Sequence, residues 1–341
     1  MIPTAAECAE SIEVPRALQQ CEPTLRNMKV SRRQFGLAAL ISLALPRLRA
    51  MAIATDVQSP KVADIGEHIQ LNYVESGSGT PVIFVHGSLS DYTYWQGQME
   101  PFAARYHAIA YSRRYNFPNS NPDRTGYSAI TDADDLAKLV QALGVDRIVI
   151  VGHSYGAFAA LFLAIRHPEL VRAMVLAEAP AVSLLNHLSG ERAATGKAMF
   201  HDIQTRMVSP MKAAFAKGDR NAGIGVFMGY VFNDPDAWSK MSQASRDETL
   251  RDAHEWDVMM TTGTLFPEVD PASIQKISIP VLLLSGGKSY PFLHLIDERL
   301  SQLLPSNQHI VFPDSGHQMW LLHPDLCRSS VATFLRRNGI V

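Results

Sequence analysis

The stretch Gly152-His153-Ser154-Tyr155-Gly156 constrains this chain more than any other. It follows the apolar run Ile148-Val149-Ile150-Val151 and precedes Ala157-Phe158-Ala159-Ala160-Leu161-Phe162-Leu163. Strand, sharp turn and helix follow in that order, with a serine at the apex. A turn that tight crowds its own backbone, and a glycine on either side removes the Cβ atoms that would collide. The serine hydroxyl then stands free above a sheet edge. It sits at the N-terminus of a helix whose dipole favours developing negative charge. This pattern is a nucleophile elbow, and it points to covalent catalysis by Ser154.

From about residue 65 onward, short β-rich runs alternate with longer helical patterns, which predicts a mostly parallel sheet covered on both faces. Residues 65–75 read as an opening hairpin. Val82–His86, His107–Tyr111, the elbow strand, Arg172–Ala177, Pro280–Ser285 and His309–Phe312 read as strands. Helices are expected over Trp95–Tyr106, Ala133–Leu143, the segment after the elbow to about His167, and Pro324–Asn338. Between Pro180 and Ile279 the alternation breaks. That stretch reads as helical and is rich in methionine and aromatic residues, among them Met207, Phe227, Met228, Trp238 and Trp256. It is expected to form a cap over the serine. Most of these side chains would pack the cap's own core, with a subset lining an apolar pocket. The resulting division is a leader at 1–54, a core at 55–180 and 280–341, and a cap at 181–279.

The leader carries its own signals. Ser31-Arg32-Arg33-Gln34-Phe35-Gly36-Leu37 is close to the twin-arginine export pattern. The apolar run Phe35–Leu45 follows, too short to span a bilayer, and then the small-residue sites Ala50-Met51-Ala52 and Ala52-Ile53-Ala54. Basic region, apolar core and small-residue site in sequence predict a signal peptide and export to the periplasm or beyond. Met28 is a plausible start of translation for a signal of ordinary length. Of three cysteines, Cys8 and Cys21 fall in the leader, so Cys327 is left without an internal partner and no disulfide framework exists. Removing seven basic and four acidic side chains with residues 1–54 leaves 24 basic and 29 acidic ones, a net of −5. A mildly acidic chain of this kind fits neither a nucleic-acid nor a membrane-surface role.

A serine hydroxyl needs a base within hydrogen-bond reach, and the base needs an orienting acid. The histidine is expected after the last strand, where Asp314-Ser315-Gly316-His317-Gln318 supplies His317. His86, His153 and His323 have blander accounts as a strand end, an elbow flank and a helix approach. An acid is usual after the penultimate strand, but Ser285-Gly286-Gly287-Lys288-Ser289-Tyr290-Pro291 contains no carboxylate. The next one, Asp297, lies well inside a helical pattern. Glu178, at the end of the strand beside the serine's, is the expected acid. Its extra methylene gives it the reach. Two backbone donors are needed for a tetrahedral oxyanion: Tyr155 N–H and, from the loop His86-Gly87-Ser88-Leu89, Ser88 N–H with Leu89 as the fallback. Arg113 and Arg114 fall on the same side of the sheet. They could hold a substrate carboxylate, though a structural role in their loop is the simpler expectation. Lys288 is either near the site or solvated.

With His86-Gly87, Gly152–Gly156 and Ser315-Gly316-His317 in this order, the chain resembles the α/β-hydrolase superfamily from about residue 62 to its end. The likeness is to its capped branch of esterases, lactonases and C–C hydrolases. An acid after strand six is similar to the arrangement in some haloalkane dehalogenases. Those enzymes and the epoxide hydrolases use an aspartate nucleophile, however, where this chain has Ser154. The loop after His107–Tyr111 also lacks the common Arg-Gly-x-Gly-x-Ser form. The resemblance implies an α/β-hydrolase fold with a helical cap inserted after strand six. The expected activity is hydrolysis of small to medium, largely apolar carboxylic esters, with lactone, amide or C–C cleavage as alternatives for the same triad. A ligand-binding or sensor protein on a hydrolase scaffold is the alternative of another class. The expected partner is a small-molecule ester, with no nucleic acid and no stable membrane span. No cofactor or metal is called for, since the sequence holds no cluster of ligating residues at metal spacing.

Overall fold

A computed structural model describes residues 59–341 apart from Asn233. The leader, its export signal, Cys8 and Cys21 lie outside the described residues. Eight strands form one sheet: β1 (Lys61–Asp64), β2 (Gln70–Ser76), β3 (Pro81–Val85), β4 (His107–Tyr111), β5 (Ile148–His153), β6 (Val171–Ala177), β7 (Val281–Gly286) and β8 (Asn307–Phe312). Their order is β1-β2-β4-β3-β5-β6-β7-β8. β1 and β2 pair antiparallel, as do β2 and β4, and every pairing from β4 through β8 is parallel. The chain runs outward from β3 to β4, then returns to place β5 on β3's other flank. That reversal opens a crevice at the carboxyl ends of β3 and β5, where open α/β sheets bind their ligands.

The strands alternate between two cores. Ile83, Val85, Ile150, Met174, Leu176 and Leu283 face one, and Val82, Phe84, Val149, Val151, Val175 and Leu284 face the other. Burial on both faces explains why these strands read as continuous apolar runs rather than alternating ones. Helices α1 (Gln96–Ala103), α2 (Ala129–Ala142) and α3 (Tyr155–Arg166) connect β3 to β4, β4 to β5 and β5 to β6. The expected helix over 133–143 begins four residues earlier, because Ser128 caps it and forms a reciprocal pair with Thr131. The expected helix over 95–106 is shorter than its pattern: a 3₁₀ turn at Tyr92–Trp95, capped by Asp91, precedes it. The opening hairpin uses Lys61–Asp64 and Gln70–Ser76, with residues 65–69 forming its turn.

Between β6 and β7 the chain builds a helical insertion: α4 (Arg192–Ile203), α5 (Ser209–Phe215), α6 (Arg220–Val231), α7 (Ala237–Lys240), α8 (Gln243–Arg251), α9 (His254–Thr262) and α10 (Pro271–Ile274). Met211, Phe215, Trp256, Met259 and Met260 are buried, packing the insertion into the larger core. α11 (Pro291–Leu303), α12 (Met319–Leu322) and α13 (Pro324–Arg337) complete the described residues.

Candidate active site

Ser154 lies between the last residue of β5 and the first of α3, half-buried, with φ of 52° and ψ of −123°. Non-glycine residues rarely occupy this region. Its N–H donates to Ala177 O at 2.8 Å, which ties the turn to β6. A side chain at Gly156 would collide with the carbonyl oxygens of Val85 and His86, so the elbow closes onto β3 only with glycine there. Glu178 and Leu89 also have positive φ, 54° and 55°. Three strained non-glycine residues thus lie in the segments after β3, β5 and β6, around one crevice. Backbone strain of this kind costs about 1–3 kcal/mol per residue and persists where the surroundings over-determine it.

The structure brings Glu178 and His317 together. His317 Nδ1 lies 2.5 Å from Glu178 Oε2. The carboxylate only accepts, so the Nδ1 end of the ring donates, and Nε2 is the end that can accept the serine's proton. Glu178 is fully buried. Its Oε1 accepts from Gly286 N–H at 2.8 Å and its Oε2 also accepts from Ser289 Oγ at 2.7 Å. The loop after β7, where a carboxylate is usual, therefore supplies donors to one arriving from β6. Ser154 and His317 line the same cavity, and among the described residues no hydrogen bond joins them in this resting geometry. Such bonds often tighten only when substrate is bound.

Asp297 is buried on α11 and accepts from Ser285 Oγ at 2.5 Å, and the same hydroxyl lies 2.8 Å from His309 Nε2. Burial pushes its carboxyl well above the usual range, and the Glu178 charge adds to this. Its bonding leads toward β8's interior rather than to His317.

Ser88 and Tyr155 both line the small space beside Ser154. A side chain on Gly87 would lie 3.1 Å from Ser154 Cβ, which sets the distance of the β3 loop. Ser88 N–H donates to no acceptor among the described residues. Tyr155 N–H opens α3, where a helix leaves its first amides without internal acceptors. Leu89, the fallback donor, is already used: its N–H donates to Glu255 Oε1.

Arg113 is buried and holds structure. It donates to Asp132 Oδ2 at 2.8 Å, to Gly87 O at 3.1 Å, to Tyr127 at 3.2 Å and to Glu255 Oε2. Arg114 forms a two-point pair with Asp135. Neither is free for a substrate carboxylate. Lys288 pairs with Asp314 at 3.0 Å on the exposed side of its loop. His86 is neutral and structural: Nδ1 donates to Gly87 O at 2.8 Å, and Nε2 accepts from Arg113 N–H at 2.9 Å. Its burial pushes its pKa well below the ordinary histidine value.

A cavity of about 870 Å³ opens over Ser154 and His317, walled by the β3 loop and by α6–α8 of the insertion. A second space of about 40 Å³ lies beside the serine, enclosed mainly by buried apolar side chains. Among the described residues no group of three or more His, Cys, Asp or Glu could hold a metal, and no helix is long and apolar enough to cross a membrane.

The family model described as alpha/beta hydrolase fold matches residues 80–324. The chain belongs to the α/β-hydrolase family. This hydrolase is 27% identical over 294 residues to the 2-(acetamidomethylene)succinate hydrolase of Mesorhizobium japonicum, covering 84% of this chain and 98% of that protein. Among solved structures it is similar to a thermophilic esterase from Thermogutta terrifontis, with a TM-score of 0.63 at 21% identity, covering 82% of this chain and 99% of that one. The enol-lactonase from Burkholderia xenovorans also gives 0.63, at 15% identity, covering 80% of this chain and 99% of that one. These two likenesses are of fold.

Three residues of the hydrolase's site were missed in the sequence. Glu255, on α9, crosses from the insertion to hold both Leu89 and Arg113. Burial pushes its carboxyl above the usual range, and the Arg113 charge opposes that. His153, read as an elbow flank, stacks on Tyr94 at 5.2 Å with an interplanar angle of 5°, and its Nε2 donates to His317 O at 2.9 Å. Burial, then the neighbouring His317 ring, pushes its pKa down to about 3, so it is neutral and anchors the histidine loop. Ser289, the third, is signalled only by its place in a loop that lacks its usual carboxylate.

Proposed function

We propose that this hydrolase cleaves carboxylic esters of small to medium, largely apolar substrates through an acyl-enzyme. The observation that carries this is the Glu178–His317 bond, made in the wall of the cavity that also exposes Ser154. Ser154 Oγ attacks the ester carbonyl carbon while His317 Nε2 takes its proton. Glu178 holds Nδ1–H and stabilises the imidazolium that forms. The carbonyl oxygen becomes an oxyanion between Ser88 N–H and Tyr155 N–H, each such donor being worth about 2.7–4 kcal/mol. The C–O bond to the alcohol breaks, and His317 returns the proton to the departing oxygen. Water, deprotonated by His317, then releases the acid. Hydrolysis of this kind uses no cofactor.

The cavity favours neutral substrates. Every Lys and Arg among the described residues of its wall is already paired, Arg251 with Asp91 and Lys240 with Asp234. An anionic substrate would have to share one of these cations with the carboxylate it already holds.

Ser154→Ala tests the reading. It is expected to fold and to lose hydrolysis of p-nitrophenyl esters by several orders of magnitude, and the parent is expected to be labelled by a serine-directed phosphonate. Full turnover in the variant would end the proposal. Cleavage of another acyl bond by the same residues is the second reading. It is favoured by the 27% relative, matched along nearly its whole length, whose name gives a substrate other than a simple ester. A panel of esters, lactones and amides separates the two. Export through the Ser31–Leu37 signal is part of the proposal, and cell fractionation with N-terminal sequencing checks it.

A further inference from the structure

We infer that this hydrolase takes esters of short acyl chains with bulky apolar alcohols, an inference that rests on the ester-hydrolase reading above. Two spaces of very different size meet at Ser154. The larger, about 870 Å³, is bordered by exposed residues such as Lys240, Glu248 and Leu321, so it communicates with solvent. The smaller, about 40 Å³, ends against Met207, Trp256, Leu265 and Leu293, of which none is exposed. Phe227, Val231 and Tyr290 belong to the walls of both and divide them.

The order of bond breaking decides which half of the ester enters which space. In acylation the Oγ–C bond forms and the C–O bond to the alcohol breaks, with the proton passing from Oγ through His317 to the alcohol oxygen. The alcohol must leave and a water must arrive before the second step. The large cavity, bordered by exposed residues, gives both a route, whereas the small space is walled mainly by buried side chains. The acyl group stays bonded to Ser154 throughout and can occupy the small space. The oxyanion geometry agrees with this. Tyr155, whose N–H is one of the two donors, lines only the small space, and Ser88 lines both. A carbonyl oxygen between those amides carries its acyl carbon beside the small space.

A water needs roughly 10–15 Å³ by this measure, so the small space of about 40 Å³ accepts about three heavy atoms beyond the carbonyl. Acetyl to butyryl tails fit, and an octanoyl tail does not. The large cavity places no such limit on the alcohol, and Phe227, Met228, Val231, Phe232 and Met241 give it an apolar wall.

The test uses one leaving group for the acyl side and alkyl leaving groups of similar basicity for the alcohol side. With p-nitrophenyl acetate, butyrate and octanoate, kcat/KM is expected to fall by roughly tenfold or more from butyrate to octanoate, the scale on which a pocket rejects added methylenes. Hexyl acetate is expected to be a better substrate than ethyl acetate. Met207→Ala, which deepens only the small space, should raise the octanoate-to-butyrate ratio by about the same factor, with Leu265→Ala as the substitute if that variant does not fold. Octanoate turned over as well as butyrate by the parent, ethyl acetate preferred over hexyl acetate, or an unchanged ratio in the folded variant would each overturn the assignment while leaving the ester reading intact. No Ser154-dependent turnover of any of these esters would overturn the ester reading and this inference with it.

Discussion

Ser289 Oγ donates to Glu178 Oε2 at 2.7 Å, the same oxygen that faces His317 Nδ1. A glutamate reaching across from β6 is longer than an aspartate placed directly beneath the imidazole, and it has one more torsion to fix. Gly286 N–H and the Ser289 hydroxyl fix it from the β7 loop. Hydrogen bonds to a charged group are worth about 1.5–3 kcal/mol. Ser289→Ala is therefore expected to lower kcat by roughly tenfold with KM little changed, because a positioning bond acts on the transition state, and to lower the thermal midpoint by several degrees. Ser289→Thr, which keeps the hydroxyl, should restore most of the rate. Steady-state kinetics of the two variants check this.

Glu178 and Asp297 give a paired prediction. Glu178→Gln puts an amide against His317 Nδ1. Whichever way the amide turns, the imidazolium loses its counter-charge, so kcat/KM should fall by roughly 10²–10⁴-fold. Asp297 is different in kind. Burial pushes its carboxyl well above the usual range, its Oδ2 is held by Ser285 rather than by His317, and Asn is close to isosteric with it. Asp297→Asn should leave ester turnover near that of the parent. The reverse pattern in matched assays would transfer the orienting role to Asp297.

The meeting of Glu178 with His317 was legible in the sequence because each of its elements is local. The elbow announces itself by its glycines, the histidine by the last strand, and the acid by a missing carboxylate in the β7 loop that left Glu178 next in line. The alternation of strands and helices fixed the parallel sheet for the same reason. Glu255 was not legible. Its partners Leu89 and Arg113 lie 166 and 142 residues away in the chain, and a polar residue in a helical pattern reads as a solvated face until the packing is known. Asp132 and Asp135 are buried for a similar reason, the arginines of the β4 loop that they pair with. Which of the insertion's aromatic residues face the serine was equally hidden. Met211 and Phe227 have the same composition signal, yet one packs the core and the other lines the cavity.

Glu255 is the strut between the insertion and the oxyanion loop. Removing one partner of a buried ion pair costs about 3–5 kcal/mol, but Arg113 would keep Asp132, so Glu255→Gln is expected to cost less, about 1–3 kcal/mol. Leu89 N–H would lose its charged acceptor, and the adjoining Ser88 amide would be less firmly held. The expected result is a lower urea midpoint together with a fall in kcat that exceeds any change in KM. Denaturation and kinetics on the same preparation check both. A stability loss with unchanged kcat would mean that the strut supports the fold without setting the oxyanion loop.

Asp252 makes stability depend on pH. It is buried at the end of α8, where its Oδ1 accepts from Phe117 N–H at 2.7 Å, and its Oδ2 lies 3.7 Å from Arg251 Nε. Burial first, and the Asp91 charge next, push its pKa up to about 7 from an ordinary 3.8. The folded state therefore holds a proton that the unfolded state has already released between those values. Where the folded chain binds more protons, stability falls as pH rises. The loss begins near pH 4 and is complete above pH 7. Asp252→Asn keeps an acceptor for Phe117 and has no charge to bury, so its stability should lack this decline. Relative to the parent, the variant is expected to gain on the order of 2 kcal/mol between pH 5 and pH 8, a few pKa units discounted for solvent access. Thermal or urea unfolding of both proteins at those two pH values measures the difference. A variant that tracks the parent at both would show that Asp252 is ionised throughout and that Arg251 compensates its burial.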